Sequence, residues 1–418
     1  MTESAASQPI TLNEAGLRRV LATLCLTQIT SWGVLYYAFT VLSVRITQQT
    51  GWSQPAVTAA FSAALVTSAL VGIVVGRWID RHGPRAVMTA GSVLGPGAMV
   101  GVALSPSLLC FFVAWIAAGV AMGAVLYQPA FAALTRWYGS RHVSALTILT
   151  LVAGLASTVF APLTAAMADH LHWRSTYLAL AAALAAITIP AHFYGLRQPW
   201  PSASHPHLAE PPTRTTRSLP FVTLTVAIAL AACASYAIIA NLVPLMTEHG
   251  IGTQAAAVAL GLGGAGQVLG RLGYRALVRH LSIQNRTMAI LVAIAITTAL
   301  LGVFASVVAL VIVTVLAGLA RGILTLLQAT AVTDRWGSTH YGHLSGVLSA
   351  PVTLTTAMGP WIGAALASVL GGYAPMFLVL GAVGAVAAIV SLASTPRHLI
   401  GDGLVTKTSA QQAQRDLP

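Results

Sequence analysis

The chain alternates long apolar runs with short polar, arginine-bearing intervals. Leu108 to Leu126, Thr287 to Ala305 and Val307 to Ala320 are nearly uninterrupted apolar stretches. A helix needs about 20 mostly apolar residues to cross a hydrocarbon core about 30 Å thick. The pattern predicts about twelve spans, near 19–44, 55–77, 86–105, 107–131, 143–168 and 174–196, then near 219–247, 254–278, 287–306, 307–331, 343–369 and 373–394. The longest polar interruption, Gln198 to Pro220, holds six prolines and divides the spans evenly. It reads as a solvated linker over 198–218, between one bundle over 1–197 and a second bundle with a short tail over 219–418. The linker's His205 and His207 are too few to make a metal site on their own. The polar start, Met1 to Asn13, precedes Arg18 and Arg19, and no small-residue cleavage site follows the first apolar run. That run therefore reads as a retained helix and not as a removed signal.

Composition sharpens this picture. Of 418 residues, 56% are hydrophobic and 7% charged, against about 25% charged in soluble domains. Lipid is the expected solvent, and the expected fold class is an all-α integral membrane protein of twelve transmembrane helices in two pseudo-symmetric six-helix bundles. The formal net charge is +12, but its distribution argues against nucleic acid as a partner. Arg77, Arg81, Arg85, Arg136, Arg141, Arg197, Arg275, Arg279, Arg286, Arg335 and both terminal segments fall on one side, with only Arg45 and Arg174 on the other. Basic residues concentrate in cytoplasmic loops, which predicts a multi-pass protein of the cell (plasma or inner) membrane with both termini cytoplasmic. Cys25, Cys110 and Cys233 all lie in apolar spans without metal-ligand spacing. No cofactor is expected. No nucleophile elbow, phosphate loop or metal cluster points to an enzyme.

The halves carry a faint repeat. Gln54 and Gln254, Met88 and Met288, and Gln128 and Gln328 are each two hundred positions apart. Arg136–Trp137 matches Arg335–Trp336 one position shorter, and Pro162 matches Pro360 one shorter again. Parallel repeats of six spans with the substrate held between them are one known transporter design.

The interval after the second span reads Gly76-Arg-Trp-Ile-Asp80-Arg81-His-Gly83-Pro-Arg85. It resembles the signature between helices two and three of the major facilitator superfamily. Glycine at 76 lets two helices approach closely, and Gly83 permits a sharp turn. Asp80 can accept from helix N-termini or arginines. Gly76, Asp80, Arg81, Gly83 and Arg85 are thus expected to form a conformational latch. The matching place in the second half, Ala276 to His280, lacks both Gly and Asp. Ser31-Trp32-Gly33, Gly51-Trp52-Ser53 and Trp173-Arg174 are similar to the monocarboxylate and oxalate carrier branch. Trp115 stands where many proton-coupled members carry arginine, and the fifth span holds only half of an antiporter glycine–proline motif, Ala161-Pro162. Gly359-Pro360-Trp-Ile-Gly363 in the eleventh span is the better match.

Two arginines, Arg271 and Arg321, fall deep inside the eighth and tenth apolar runs. An arginine at a helix centre costs about 2.5–3.5 kcal/mol on insertion scales. The nine acidic residues map to intervals, tails or span ends, so an anionic substrate is expected to supply countercharge to the guanidinium fork. The resemblance implies the same, because monocarboxylate and oxalate carriers hold the substrate carboxylate on an eighth-helix arginine. Gln267, one turn before Arg271, stands where some members have an acidic residue. Neutral groups expected to complete the pocket are Gln28, Trp32 and Tyr36, on one stripe of the first span with Thr40 and with Tyr37 pointing elsewhere, then Tyr127 and Gln128, Tyr236 and Asn241, and Gln328.

The function these readings predict is alternating-access transport, secondary active or facilitative, of a small monocarboxylate-like organic anion. Protons or a counter-anion are the candidate coupling partners, and the lipid bilayer is the surrounding partner. Efflux of a drug or metalloid compound is the alternative, and a receptor on a transporter scaffold stands behind it.

Overall fold

The computed structural model describes residues 12–201 and 211–396. Most of the polar start, linker residues His205 and His207, and Arg397, Lys407 and Arg415 of the tail lie outside the described residues. Among the described residues there are helices and turns and no strand. The helices are α1 (Glu14–Trp32), α2 (Ala38–Thr50), α3 (Gln54–His82), α4 (Pro84–Leu104), α5 (Leu108–Val125), α6 (Tyr127–Tyr138), α7 (His142–Gly154), α8 (Ala156–His170) and α9 (Trp173–Gly195). They continue as α10 (Pro212–Thr216), α11 (Leu219–Glu248), α12 (Thr253–His280), α13 (Ile283–Leu301), α14 (Val307–Trp336), α15 (Tyr341–Leu370) and α16 (Tyr373–Ser391).

Ten stretches of the described residues are long and apolar enough to cross a membrane, and the α15 pair, bent by 50° around Pro360, makes an eleventh. Proline removes a helical donor and crowds the preceding turn, which accounts for such a bend. One of the ten, Leu108–His170, is 63 residues long. As helix it would extend about 95 Å, three times the thickness of the core. It breaks at the 3-10 turn Gly139–Arg141, so α5–α6 and α7–α8 are separate spans. The count is then twelve, and the fold is all-α and membrane-spanning.

The described residues of Met1–Ala209 and Ser338–Ala357 form one compact unit, and those of Glu210–Gly337 and Met358–Pro418 a second. Large apolar side chains on the outside are abundant: Leu70, Val74, Val93 and Leu104 in the first unit, and Val308, Ile312 and Ile389 in the second, are each at least half exposed. On a soluble protein this would invite association. Here it is the face that lipid wets.

Lipid tails give helices no hydrophobic reason to pair, so close packing of small residues decides where they meet. In the second unit α12 lies on α14 through glycines. A Cβ on Gly318 would overlap the Gly263 carbonyl, one on Gly322 the Gln267 carbonyl, one on Gly266 the Val315 carbonyl and one on Gly270 the Leu319 carbonyl. In the first unit α3 meets α5 the same way, with Gly119 against the Ala64 carbonyl and Gly123 against Ser68. Gly119 and Gly123 sit 199 positions before Gly318 and Gly322, the offset of Arg136 and Arg335. The repeat is therefore a repeat of helix contacts.

The first span departs from its expected form. It runs Glu14–Thr50, and a turn of π-helix, Gly33–Tyr37, interrupts it. That insertion shifts the helical phase by about one residue. Tyr37 therefore joins the ring cluster instead of pointing elsewhere: its centroid is 6.4 Å from Trp32 and 5.3 Å from Tyr36. Thr40 is exposed and bonds its Oγ1 to the Tyr37 carbonyl, so the single stripe from Gln28 to Thr40 does not form.

Replacing Gly318 with Leu forces a side chain into a backbone carbonyl and is expected to cost about 1–3 kcal/mol or more. Gly261→Ala and Gly264→Ala, where nothing lies within 4 Å, are expected to be neutral. Thermal unfolding in detergent, followed by the loss of a monodisperse size-exclusion peak, distinguishes the two groups.

Candidate functional site

Arg271 on α12 and Arg321 on α14 are each 5% exposed. Arg271 lies about 27 Å along its helix from Thr253 and about 14 Å from His280. The glycine contact that brings Gly322 onto the Gln267 carbonyl also places Arg321 beside α12. Its Nε donates to Gln267 Oε1 at 3.4 Å, and its NH1 group donates to the Ser235 carbonyl of α11 at 3.5 Å. Gln267 is one turn before Arg271, so the three side chains share one stretch of the α12–α14 contact. Asp334, on the same helix as Arg321, is about 20 Å further along it and ion-pairs with Arg286. Glu248 accepts from the Tyr373 N–H at 2.9 Å. Of the remaining candidates in this unit, Tyr236 and Gln328 are half-buried. Asn241 is 2% exposed, donates to the Ala237 carbonyl at 2.8 Å and packs on Gly363.

In the first unit Trp32, Tyr36 and Tyr127 come together. Trp32 is 5.3 Å from Tyr36 and 5.0 Å from Tyr127, centroid to centroid. Tyr127 stacks on Phe131 at 5.0 Å, and Tyr36 meets Phe61 edge-on at 5.2 Å. Gln128 packs on Gly72. Gln28 is fully buried, and its Nε2 donates to the carbonyls of Val125, at 2.5 Å, and Leu126, at 3.3 Å. The cause is local: Pro129 has no N–H to give Val125, four residues earlier, and α5 breaks at Leu126. Gln28 supplies the missing donor.

The signature loop has a well-defined geometry. Asp80, in the last turn of α3, accepts from the N–H groups of Gly342 and His343, both at 2.9 Å. These are orphan donors in the first turn of α15, where a carboxylate also meets the positive end of the helix dipole. Glycine at 76 allows the approach, since a Cβ there would overlap the Gly342 carbonyl. Arg77 Nε donates to His343 Nδ1 at 2.9 Å. Gly83 has φ 80° and lies under the Trp200 ring. Arg81 is exposed, and Arg85 bonds the Phe193 carbonyl at 3.0 Å.

Arg136 escaped the sequence reading. Its NH1 group donates to the carbonyls of Ser338 and Thr339, and its Nε to that of Pro201, while Trp137 Nε1 donates to Pro199. The first residues of the expected solvated linker are therefore tied down at Pro199 and Pro201. Burial and the Arg136 guanidinium both hold the His340 imidazole below its usual range, which keeps it neutral at pH 7. The repeat-mate Arg335 is 3% exposed and donates Nε to the Ser394 carbonyl at 2.9 Å, just past α16. Each half thus anchors the chain that follows its sixth span on an arginine closing its fourth. The matched Arg-Trp pairs were the signal. Their acceptors are main-chain carbonyls, which no residue type marks.

Twelve apolar spans and related helix contacts in both halves define a polytopic membrane protein built from two repeats. Residues 24–307 match the Major Facilitator Superfamily model, and the chain belongs to that family. An uncharacterized MFS-type transporter, YcxA of Bacillus subtilis (strain 168), is 29% identical over 140 residues, 32% of this chain and 33% of YcxA. An uncharacterized 38 kDa protein in the 23S RNA operon of Thermoproteus tenax is 29% identical over 134 residues, 32% of this chain and 36% of that protein. The chain spans about a third of the length of these curated relatives. The E. coli fucose:proton symporter FucP superposes with a TM-score of 0.66 at 15% identity, over 90% of this chain and 98% of its own. FucP in an outward conformation gives 0.68 at 14% identity, with the same coverage. Likeness at this level shows the fold alone.

Asp80→Ala leaves the N–H groups of Gly342 and His343 without their carboxylate, at about 1–3 kcal/mol. Amide hydrogen exchange at these two positions is expected to speed up tenfold or more, with no change at Ser235. Unaltered exchange would show that Asp80 does not hold the start of α15.

Proposed function

We propose that this protein transports a small organic anion, a monocarboxylate-like molecule, by alternating access, and that Arg271 and Arg321 engage its carboxylate. The observation that carries this reading is the placement of two buried arginines, each 5% exposed, on adjoining helices along one stretch of the α12–α14 contact. A planar guanidinium fork matches a carboxylate in two parallel hydrogen bonds. The 3.4 and 3.5 Å bonds of Arg321 to Gln267 and Ser235 are long. An anion offering shorter, charge-assisted bonds competes well with them. The resemblance of Ser31-Trp32-Gly33, Gly51-Trp52-Ser53 and Trp173-Arg174 to the monocarboxylate and oxalate branch supports the same class. Gln28 is left out of the proposed site because its donors are committed to Val125 and Leu126.

For coupling, we propose exchange against a second anion. Gln267 cannot take up a proton, so a carboxylate protonation step is missing at the position beside Arg321. Binding of one anion and release of another conserves the charge at Arg271 and Arg321 throughout the cycle.

In proteoliposomes loaded with small monocarboxylates, counterflow of the labelled acid is expected without an imposed pH gradient. Arg271→Gln is expected to raise the half-saturating concentration about tenfold to a hundredfold, the loss of a charge-assisted hydrogen bond of about 1.5–3 kcal/mol. Arg271→Lys should recover only part of it, because an ammonium cannot make the paired bonds. Unchanged affinity of Arg271→Gln for every transported anion would remove the proposal. Transport of neutral sugars or cationic drugs, with anions excluded, would replace it.

A further inference from the structure

A second cluster of arginines, on the outer surface of the first unit, has no part in the proposed transport site. It is built at the end of α9. Phe193 and Tyr194 are 39% and 53% exposed. The Arg85 guanidinium of α4 sits 4.8 Å from the Phe193 ring centroid while its Nε bonds the Phe193 carbonyl at 3.0 Å. The Arg197 guanidinium lies 5.0 Å from Phe193 and 4.8 Å from Tyr194. Arg19 of α1 donates to the Tyr194 carbonyl at 2.9 Å. Guanidinium groups from α1, α4 and the chain just past α9 thus gather at Phe193 and Tyr194, two over the rings and one on the Tyr194 carbonyl. Among the described residues none of the three makes an ion pair: Glu14 is paired with Arg141, and Asp80 is bonded to the start of α15.

The cluster's position says what reaches it. Along α9, Leu178, Ala179, Ala182, Ala186, Pro190 and Phe193 are exposed at helical spacing, and the stripe ends at Arg197. From Leu178 to Arg197 this face extends about 28 Å, close to the thickness of the hydrocarbon core. On neighbouring α4, Val93, Val100 and Leu104 are also exposed. Acyl chains wet this face, and its arginine-bearing end falls at the headgroup level, where aromatic rings also concentrate. Rings with cations held over them, beside a lipid-facing stripe, suit a molecule with a phosphate head and hydrocarbon tails.

We propose that Arg19, Arg85 and Arg197, with Phe193 and Tyr194, form a binding site for an anionic phospholipid. The phosphodiester is held by the guanidinium groups and an acyl chain lies along the α4–α9 face. The site binds a lipid of the leaflet on the arginine-rich side of the protein.

The test is native mass spectrometry of the full chain in a mild detergent, titrated with phosphatidylglycerol. Phosphatidylcholine serves as the zwitterionic comparator and inorganic phosphate as the soluble one. Phosphatidylglycerol is expected to be retained in preference to phosphatidylcholine, and inorganic phosphate should not displace it. Among the described residues Arg197 makes ring contacts and no hydrogen bond, so Arg197→Gln leaves the hydrogen bonds at the end of α9 in place. It should weaken phosphatidylglycerol binding about fivefold, the effect of one basic residue at an anionic membrane surface. Adding Arg19→Gln should weaken it about fivefold again. Arg217→Gln and Arg279→Gln, exposed arginines of the other unit, should change binding less than twofold. Full retention by the double variant, or an equal loss in the two remote variants, overturns the site. Displacement by inorganic phosphate overturns the lipid assignment in favour of a soluble anion.

Discussion

Hydrocarbon offers a backbone polar group no hydrogen-bonding partner, so main-chain N–H and C=O groups inside a span are bonded by the chain itself. Much of the structure follows from that constraint. Hydroxyls turn back onto their own helices, as Thr30 does to Leu26, Thr67 to Ala63, Thr225 to Phe221 and Thr314 to Leu310. Where Pro129 deprives Val125 of its donor, an amide from another helix takes its place, and the price is a glutamine buried at position 28. Buried arginines are the extreme case of the same rule. Arg335 spreads its donors over Ser394, Thr287 and Ala331, and Arg286 pairs with Asp334.

Where helices meet is decided by a different property. Since leucine packs on lipid as well as on leucine, contact goes to positions where backbones can approach most closely. The fourth span of each half supplies two glycines one turn apart, and each pair lies on carbonyls of the second span of its own half. In the second unit this contact also sets the chemistry. Gly322 rests on the Gln267 carbonyl, so its neighbour Arg321 reaches the Gln267 side chain, and Arg271 is one turn away. Helix packing and the proposed recognition site therefore share a single helix crossing. The same crossing keeps both arginines on rigid elements, as the proposed anion site requires.

Arginine and aspartate at helix ends do a third job, joining segments far apart in sequence. Asp80 collects two orphan donors from α15, 262 and 263 positions away. Arg136 holds carbonyls on either side of a long stretch of chain, at Pro201 and at Ser338 and Thr339. Each bond pairs a full charge with the partial charges of a helix end or turn, and such bonds are about twice as strong as neutral ones. Because the partners are backbone groups, they can form or break without any residue having to change its protonation.

The sequence alone was enough for the membrane-spanning class, the span count and the existence of a repeat, because burial in lipid demands runs of apolar residues whose length is set by the bilayer. It also singled out Arg271 and Arg321, since a charge in such a run is costly and stands out. It pointed to Asp80 as an acceptor for a helix N-terminus or an arginine, without showing which helix. Tertiary structure decided the rest. The π-turn at Gly33–Tyr37 moved Tyr37 into the aromatic cluster, Gln28 was drawn to Val125 and Leu126, and Arg136 was tied to three carbonyls. These outcomes depend on backbone donors and acceptors, which every residue carries alike, and on helix phase, which one extra residue in a turn resets. Residue type therefore marks where charge and apolar surface lie, and only the packed chain shows which main-chain groups they meet.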